Sequence, residues 1–417
     1  MGSPGIRAGT LLLARSLALL LTAAAPAAQE SGPADLDEIL APILTAHDVP
    51  ALAGAIVTPD GLAGIGAVGR RRAGGEEQVT KDDRWHLGSC TKAMTATLLA
   101  AFLDEGKIGW ETTMATAFAD FASLDEDWRE VTLRQLLDHR AGAPAELFAD
   151  GLWMRLLATS EPAAVQRRWI VETVLANGTE AAPGARFAYS NAGYILAGAI
   201  AERCGGAPWE ELMQQRIFGP LGMASAGFGA PGDAAKVDQP WGHRREGNRL
   251  VPVPPGSFGS DNPSGLGPAG TVHCSLRDWA RFVALHLRAG AGEPRLVSPA
   301  TMELLHTPRE EDGYTAGWLS CSRPWAGGPA FTHAGSNTMW FAVVWMAPAR
   351  GFAVLAATNA GGPRGAAATD AAAAALIERW AAREAVPAGS SGGGLRRSGR
   401  PPRNRPAGRP PTNRRPC

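Results

Sequence analysis

The stretch Gly88-Ser89-Cys90-Thr91-Lys92 stands at the predicted start of a helix over about 89–105. The apolar residues that recur there at helical spacing are Leu98, Leu99, Phe102 and Leu103. Gly106 follows and is typical of a helix C-terminus. Side chains three residues apart share a helix face, so the amine of Lys92 can reach the hydroxyl of Ser89. Cys90, two residues from Lys92, is predicted to point elsewhere.

Ser89 and Lys92 are residue types that can form a nucleophile and the base that activates it. A serine hydroxyl is weakly nucleophilic until a neighbour removes its proton. A neutral lysine can do so, at a cost of about 4–5 kcal/mol that burial can impose, whereas arginine cannot. Of the 40 basic residues only four are lysine, which makes a lysine at this position informative. The four are Lys81, Lys92, Lys107 and Lys236.

Two further segments carry polar groups suited to the same chemistry. In Tyr189-Ser190-Asn191, the tyrosine could pass a proton to the leaving group, and the asparagine could bind Lys92 or a substrate amide. In His333-Ala334-Gly335-Ser336, the glycine lies at the end of a predicted strand and allows close approach to the backbone. The Ser336 and Ser89 amides together would form an oxyanion hole.

The distribution of strands and helices predicts an α/β (α+β) fold. Apolar runs at 51–57 and 62–69, with Pro59-Asp60-Gly61 between them, indicate a hairpin. Three further strands are predicted in the C-terminal third, followed by a helix over about 366–385. We therefore expect one antiparallel sheet built from both chain ends and flanked by helices, with an inserted helical lobe. The predicted lobes are 29–106 with 271–386, and 107–270, within one domain over 29–386.

Two glycine motifs suggest other functions, but their surroundings do not fit. Gly64-Ile65-Gly66-Ala67-Val68-Gly69 has the dinucleotide-binding pattern, yet a turn follows it where a helix is required. Gly389-Ser390-Ser391-Gly392-Gly393 matches a nucleophile elbow, but it lies in an Arg/Pro/Gly-rich tail over 387–417 that we expect to be disordered. Neither motif is expected to be functional.

The N-terminal residues predict export. A positive flank, an apolar run from Leu17 and a small-residue site at Ala25-Pro26-Ala27 are typical of a cleaved signal peptide over 1–28, with an uncleaved anchor as the alternative. A secreted or periplasmic protein without a stable membrane span in its mature chain is expected. The net charge of +0 gives no indication of nucleic-acid binding. The five cysteines form no CxxC pair, so neither a metal nor a redox site is predicted.

Together, the three motifs and the segment Leu136-Leu137-Asp138-His139-Arg140-Ala141-Gly142 resemble the serine β-lactamase and penicillin-binding-protein family, over roughly residues 35–385. The class C-like branch, which includes DD-peptidases and esterases, is the most similar. The resemblance implies acyl-enzyme chemistry without metal or cofactor. Catalytic roles carry over to Ser89, Lys92 and Tyr189, and substrate or oxyanion contacts to Asn191, His333, Gly335 and Ser336. His139 is expected to have a structural role.

The sequence departs from this family at His333, where related β-lactamases carry lysine. A histidine is only partly charged near pH 7, which favours an esterase or a D-aminoacyl peptidase over a β-lactamase. An ester, amide or peptide of low molecular weight is the expected substrate. A catalytically silent penicillin-binding-like module that binds envelope glycans or a partner is the alternative from another class.

Overall fold

The computed structural model describes residues 1–2, 32–147, 151–288 and 296–384 of the chain. The predicted signal peptide and the predicted disordered tail lie outside the described residues, apart from Met1 and Gly2. The strands are β1 Ala34–Asp35, β2 Ala51–Thr58, β3 Gly61–Gly69, β4 Arg84–His86, β5 Gly227–Phe228, β6 Gly242–Glu246, β7 Arg249–Val253, β8 Val272–Ser275, β9 Tyr314–Thr315, β10 Trp318–Ser322, β11 Pro329–Ser336, β12 Phe341–Ala347 and β13 Phe352–Thr358.

The helices occupy mainly the middle of the chain. They are α1 Asp37–His47, α2 Thr91–Asp104, α3 Met114–Ala117, α4 Leu133–Leu137, α5 Leu152–Ala158, α6 Ala163–Leu175, α7 Asn191–Gly205, α8 Trp209–Met213, α9 Gly219–Leu221, α10 Gly267–Gly270, α11 Leu276–Leu287, α12 Pro299–Leu305 and α13 Gly362–Glu384. None of the helices in the described ranges is long and apolar enough to cross a membrane.

The main sheet joins strands from both ends of the chain, as predicted. Its order is β1-β3-β2-β13-β12-β11-β10-β9, and every pairing is antiparallel except that of β1 with β3. The Gly64–Gly69 motif lies within β3, paired along its length with β2, so no phosphate-binding turn exists there. Two small sheets accompany it, one of β4, β8 and β5 and one of β6 and β7.

The two faces of the sheet bury separate cores. Along β2, Ala51, Ala53, Ala55 and Val57 belong to the larger core, which the inserted helices also enter, whereas Leu52 and Ile56 belong to the smaller one. This alternation follows from the period of two in a strand. Helices α1 and α13 cover the smaller core. We call the side of the sheet that faces them the outer face and the opposite side the inner face. The inner face holds α2 and the candidate active site.

Candidate active site

Ser89 lies where the predicted helix begins. A 3₁₀ turn, Gly88–Cys90, leads directly into α2, so Ser89 and Lys92 fall on one face of a continuous helical segment. The side chain of Ser89 is half-buried and that of Lys92 is fully buried. Nζ of Lys92 lies 3.2 Å from Oγ of Ser89. The structure therefore brings together the two groups that the spacing predicted to meet.

Lys92 is surrounded in a way that suits a neutral amine. Its Nζ lies 2.9 Å from Oδ1 of Asn191 and 2.7 Å from the carbonyl oxygen of Ala269. A neutral amine has two N–H bonds and one lone pair; these two acceptors take both N–H bonds. The lone pair then faces the Ser89 hydroxyl. Burial lowers the pKa of Lys92 to about 7, and an amine with that pKa can accept the serine proton near neutral pH.

The side chain of Asn191 contacts Lys92. Ser190, rather than Asn191, caps α7, because its hydroxyl accepts a hydrogen bond from the Gly193 amide. The Asn191 side chain is thereby left to bind Lys92. Asn191 therefore holds the lysine in place.

Tyr189 completes the cluster. Its hydroxyl shares a hydrogen bond with Ser89, and burial around that hydroxyl raises its pKa, more than the Ser89 bond lowers it. The ring lies 4.8 Å from Nζ of Lys92, measured to its centroid. Tyr189 is thus a protonated phenol at neutral pH, able to donate a proton but poorly suited to act as the primary base.

His139 fixes the segment that carries Tyr189. Its Nδ1 accepts a hydrogen bond from the Ser190 amide at 3.1 Å, and its carbonyl oxygen accepts one from the Ala188 amide at 2.8 Å. The imidazole packs 4.3 Å from the Tyr189 ring, between centroids. His139 therefore holds both residues that flank Tyr189 in place through hydrogen bonds, which agrees with the structural role expected for it.

The backbone segments that carry Ser89 and Ser336 pack directly against each other, because each has a glycine at the contact. A Cβ on Gly88, which has a φ of +50°, would lie 2.3 Å from the Ser336 nitrogen. A Cβ on Gly335 would lie 2.0 Å from the Leu87 carbonyl oxygen. Gly335 thus makes room for the segment that carries the nucleophile, in addition to the access for substrate that the sequence suggested. Close packing therefore brings together the two backbone segments that carry the amides of the predicted oxyanion hole.

The sequence analysis missed a buried network that ties these segments together. His86 Nδ1 accepts a hydrogen bond from the Gly88 amide, so its Nε2 carries the proton and lies 3.1 Å from the Asp261 carboxylate. Asp261 also accepts from the side-chain amide of Asn337 at 2.8 Å. Oδ1 of Asn337 accepts from the amides of Met339 and Trp340. One carboxylate thus links both sides of the candidate oxyanion hole.

His333 lies beside this cluster with both ring nitrogens occupied. Its Nδ1 lies 2.7 Å from the Ala334 carbonyl oxygen, which fixes a proton on Nδ1, and its Nε2 lies 3.0 Å from the Tyr314 hydroxyl. Burial, reinforced by Lys92, lowers the pKa of His333 to about 3. The imidazole is therefore neutral near pH 7, an acceptor for Tyr314 rather than a cation for a substrate.

Cys90 is not accessible for chemistry. Its thiol is buried and lies 3.5 Å from the carbonyl oxygen of His333, and burial raises its pKa. It faces β11 and β12 of the sheet, whereas helical geometry had predicted only that it points elsewhere than Lys92. In the described ranges, no three His, Cys, Asp or Glu residues are grouped so that they could hold a metal ion.

A mainly antiparallel sheet flanked by helices, with a Ser–Lys–Tyr cluster at the start of a buried helix, defines a serine hydrolase of the β-lactamase and transpeptidase type. The chain belongs to the Beta-lactamase family, whose model matches residues 36–379.

Individual relatives support this assignment. "Penicillin-binding protein 4" of Amycolatopsis lactamdurans is 28% identical over 331 residues, which cover 76% of this chain and 82% of that protein. The octameric penicillin-binding protein homologue from Pyrococcus abyssi superimposes with a TM-score of 0.66 at 24% identity, covering 81% of this chain and 76% of the other. The D-amino acid amidase from Ochrobactrum anthropi gives a TM-score of 0.66 at 20% identity, with coverages of 84% and 97%. The two solved structures have the same fold as this chain.

Proposed function

We propose that this hydrolase cleaves neutral carboxylic esters through an acyl-enzyme on Ser89. The burial of His333, with both ring nitrogens in hydrogen bonds inside the protein, is the observation that carries the proposal. At this position β-lactamases of this type carry a lysine, a permanent cation suited to a substrate carboxylate. Here the imidazole is buried, and the lone pair of its Nε2 accepts a hydrogen bond from the Tyr314 hydroxyl. The next residue, Ala334, has no hydroxyl that could bind a substrate carboxylate in place of the missing cation.

The cluster supports a complete proton path. Lys92 takes the proton of Ser89 as Oγ attacks the ester carbonyl, and the Ser89 and Ser336 amides stabilise the oxyanion. As the intermediate collapses, Tyr189 donates its proton to the departing alkoxide and regains one from the Lys92 ammonium. Water then attacks the acyl-enzyme by the same steps, releasing the carboxylic acid and restoring Ser89.

The other activities receive less support. A peptidase or β-lactamase that binds a substrate carboxylate would obtain no cation from His333. A silent binding module has no use for a neutral buried lysine, because keeping it neutral costs folding free energy. We further propose that the reaction takes place outside the cytoplasm, on the basis of the signal-peptide pattern in the first 28 residues.

The test compares matched neutral and carboxylated esters from pH 5 to pH 9. We expect wild-type kcat/KM to favour the neutral ester at every pH, and His333→Lys to weaken its hydrolysis by placing an unpaired charge beside the substrate. A wild-type preference for the carboxylated ester that fades as pH rises would favour the peptidase instead.

Covalent labelling tests the nucleophile separately. A fluorophosphonate should label wild type and Cys90→Ala alike, and it should not label Ser89→Ala. Equal labelling of Ser89→Ala and wild type would exclude Ser89 as the nucleophile.

A further inference from the structure

An apolar groove of about 860 Å³ runs along the outer face of the sheet beside the active site. We call it the edge groove. Side chains of β11 and β12 form its floor, and the first turns of α13 form one wall. The residues that define it here are Ala334, Phe341, Val343, Trp345, Ala366 and Ala367.

The groove reaches the active site around a free strand edge. β10 pairs with β11 only from Pro329 to Thr332. Beyond Thr332, no strand in the described part of the chain pairs with that edge of β11. His333, on the inner face, and Ala334, on the outer face, both line the groove. Ala334 precedes Ser336 by two residues, about 7 Å along an extended strand.

The inner end of the groove lies on the leaving-group side. Tyr189, which donates a proton to the leaving group in the proposed mechanism, has its ring 6.5 Å from that of His333, between centroids. Phe187, two residues before Tyr189, lines the groove and packs against Tyr314. An alcohol that is protonated by Tyr189 therefore departs next to the groove opening.

The surface of the groove suits an apolar ligand. Phe187 and Leu319 line it with 36% and 39% of their surface exposed, so both present apolar surface to a ligand in the groove. Asp312, a charged residue at its margin, pairs with Arg140. The guanidinium of Arg323 lies 5.0 Å from the ring centroid of Trp345, so this cation is held against the aromatic lining of the groove itself. Asp370 is exposed at the rim on α13.

We propose that the edge groove binds the alcohol portion of the ester, so that preferred substrates carry an extended apolar alcohol. From Ser336 to Thr332 the strand spans about 13 Å, which sets the length of alcohol that the floor can cover. This inference rests on the proposed ester hydrolysis and adds to it the side of the ester that determines selectivity.

The experiment varies the two halves of the ester independently. One series is ethyl, butyl, octyl and decyl acetate; the other is the ethyl esters of butanoic, octanoic and decanoic acid. Hydrolysis is followed by acid release below the micellar concentration. We expect kcat/KM to rise about tenfold or more from ethyl to octyl acetate, because each buried methylene adds favourable transfer free energy. The acyl series should change much less.

A pair of variants on α13 locates the effect. Ala367 is exposed and lines the groove, and Ala374 is exposed on the same helix two turns further on, outside the groove. Ala367→Trp should lower the octyl-to-ethyl ratio of kcat/KM about tenfold, and Ala374→Trp should preserve the wild-type ratio. Thermal melting checks that both variants are folded. In wild type, 1-octanol should inhibit ethyl acetate hydrolysis competitively, and it should do so more weakly in Ala367→Trp.

The outcomes separate the two proposals. Hydrolysis that is independent of alcohol length, with equal ratios in the two variants, overturns the groove assignment and leaves ester hydrolysis intact. Selectivity for acyl length instead places the groove on the other side of the scissile bond and also overturns it. Refusal of every ester overturns both proposals.

Discussion

Replacing Lys92 with methionine tests whether the lysine is neutral in the folded protein. In the unfolded chain the amine has its ordinary pKa of 10.5, and in the fold that value falls to about 7. Between these values the unfolded state binds a proton that the native state does not, so stability rises with pH. The cost of burying Lys92 is about 4 kcal/mol at pH 7 and about 2 kcal/mol at pH 9.

Lys92→Met removes that cost and also leaves the acceptors on Asn191 and Ala269 unpaired. The lost hydrogen bonds lower stability by the same amount at pH 7 and at pH 9. Their contribution therefore cancels when the stabilities at the two pH values are compared. The free energy of unfolding of Lys92→Met minus that of wild type should therefore be about 2 kcal/mol larger at pH 7 than at pH 9. Urea denaturation of both proteins at the two pH values measures this difference.

Thr95→Val provides the matched control. Thr95 is buried on the same helix and donates to the Pro268 carbonyl oxygen at 2.8 Å, but it does not titrate. Its effect on stability should be equal at both pH values. A difference below about 0.5 kcal/mol for Lys92→Met would mean that Lys92 is protonated in the folded enzyme at pH 7. Another base would then have to activate Ser89.

Three further predictions concern catalysis and acid stability. Lys92→Arg replaces a neutral amine with a permanent cation that cannot act as a base, so kcat/KM should fall below about a tenth of wild type, and retention above that level would refute the base role. Asp261→Asn weakens the link between His86 and Asn337, so kcat should fall about tenfold or more with little change in KM; a loss confined to KM would contradict a role in the oxyanion hole. Burial lowers the pKa of six histidines, so each binds a proton on unfolding as pH falls below about 6.5, and stability is lost in that direction. Tryptophan fluorescence should show cooperative unfolding between about pH 4 and 6, with uptake of up to six protons, and native fluorescence at pH 4 would contradict this. The six are His139, His243, His273, His286, His306 and His333.

Local spacing was sufficient to predict much of the site. Ser89 and Lys92 are three residues apart on one helix, so elementary helix geometry brings them together. The longer strands were also predictable, since a continuous apolar run bounded by turn residues is a local property. Shorter strands such as β4 and β8 carry no such pattern, and their pairing depends on the assembled fold.

Contacts distant in sequence could not be predicted. His86 and Asp261 are 175 residues apart, and neither lies in a motif that signals the other. The lowered pKa of His333 likewise depends on its burial in the assembled fold, where β9 and β10 place Tyr314 against its ring. A histidine has an ordinary pKa near neutrality, so its charge state requires knowledge of its partners and burial.

The pairing of β2 with β13 has a consequence for synthesis of the chain. Thr358 of β13 donates a hydrogen bond to the carbonyl oxygen of Ala51 in β2, 307 residues earlier. At about 5–20 residues per second, the ribosome adds the missing partner some 15–60 s after β2 emerges. Throughout that time an uncharged and largely apolar strand has an open edge, which is an aggregation hazard. Nascent chains should therefore depend on a holding chaperone, and slower translation should lengthen that dependence.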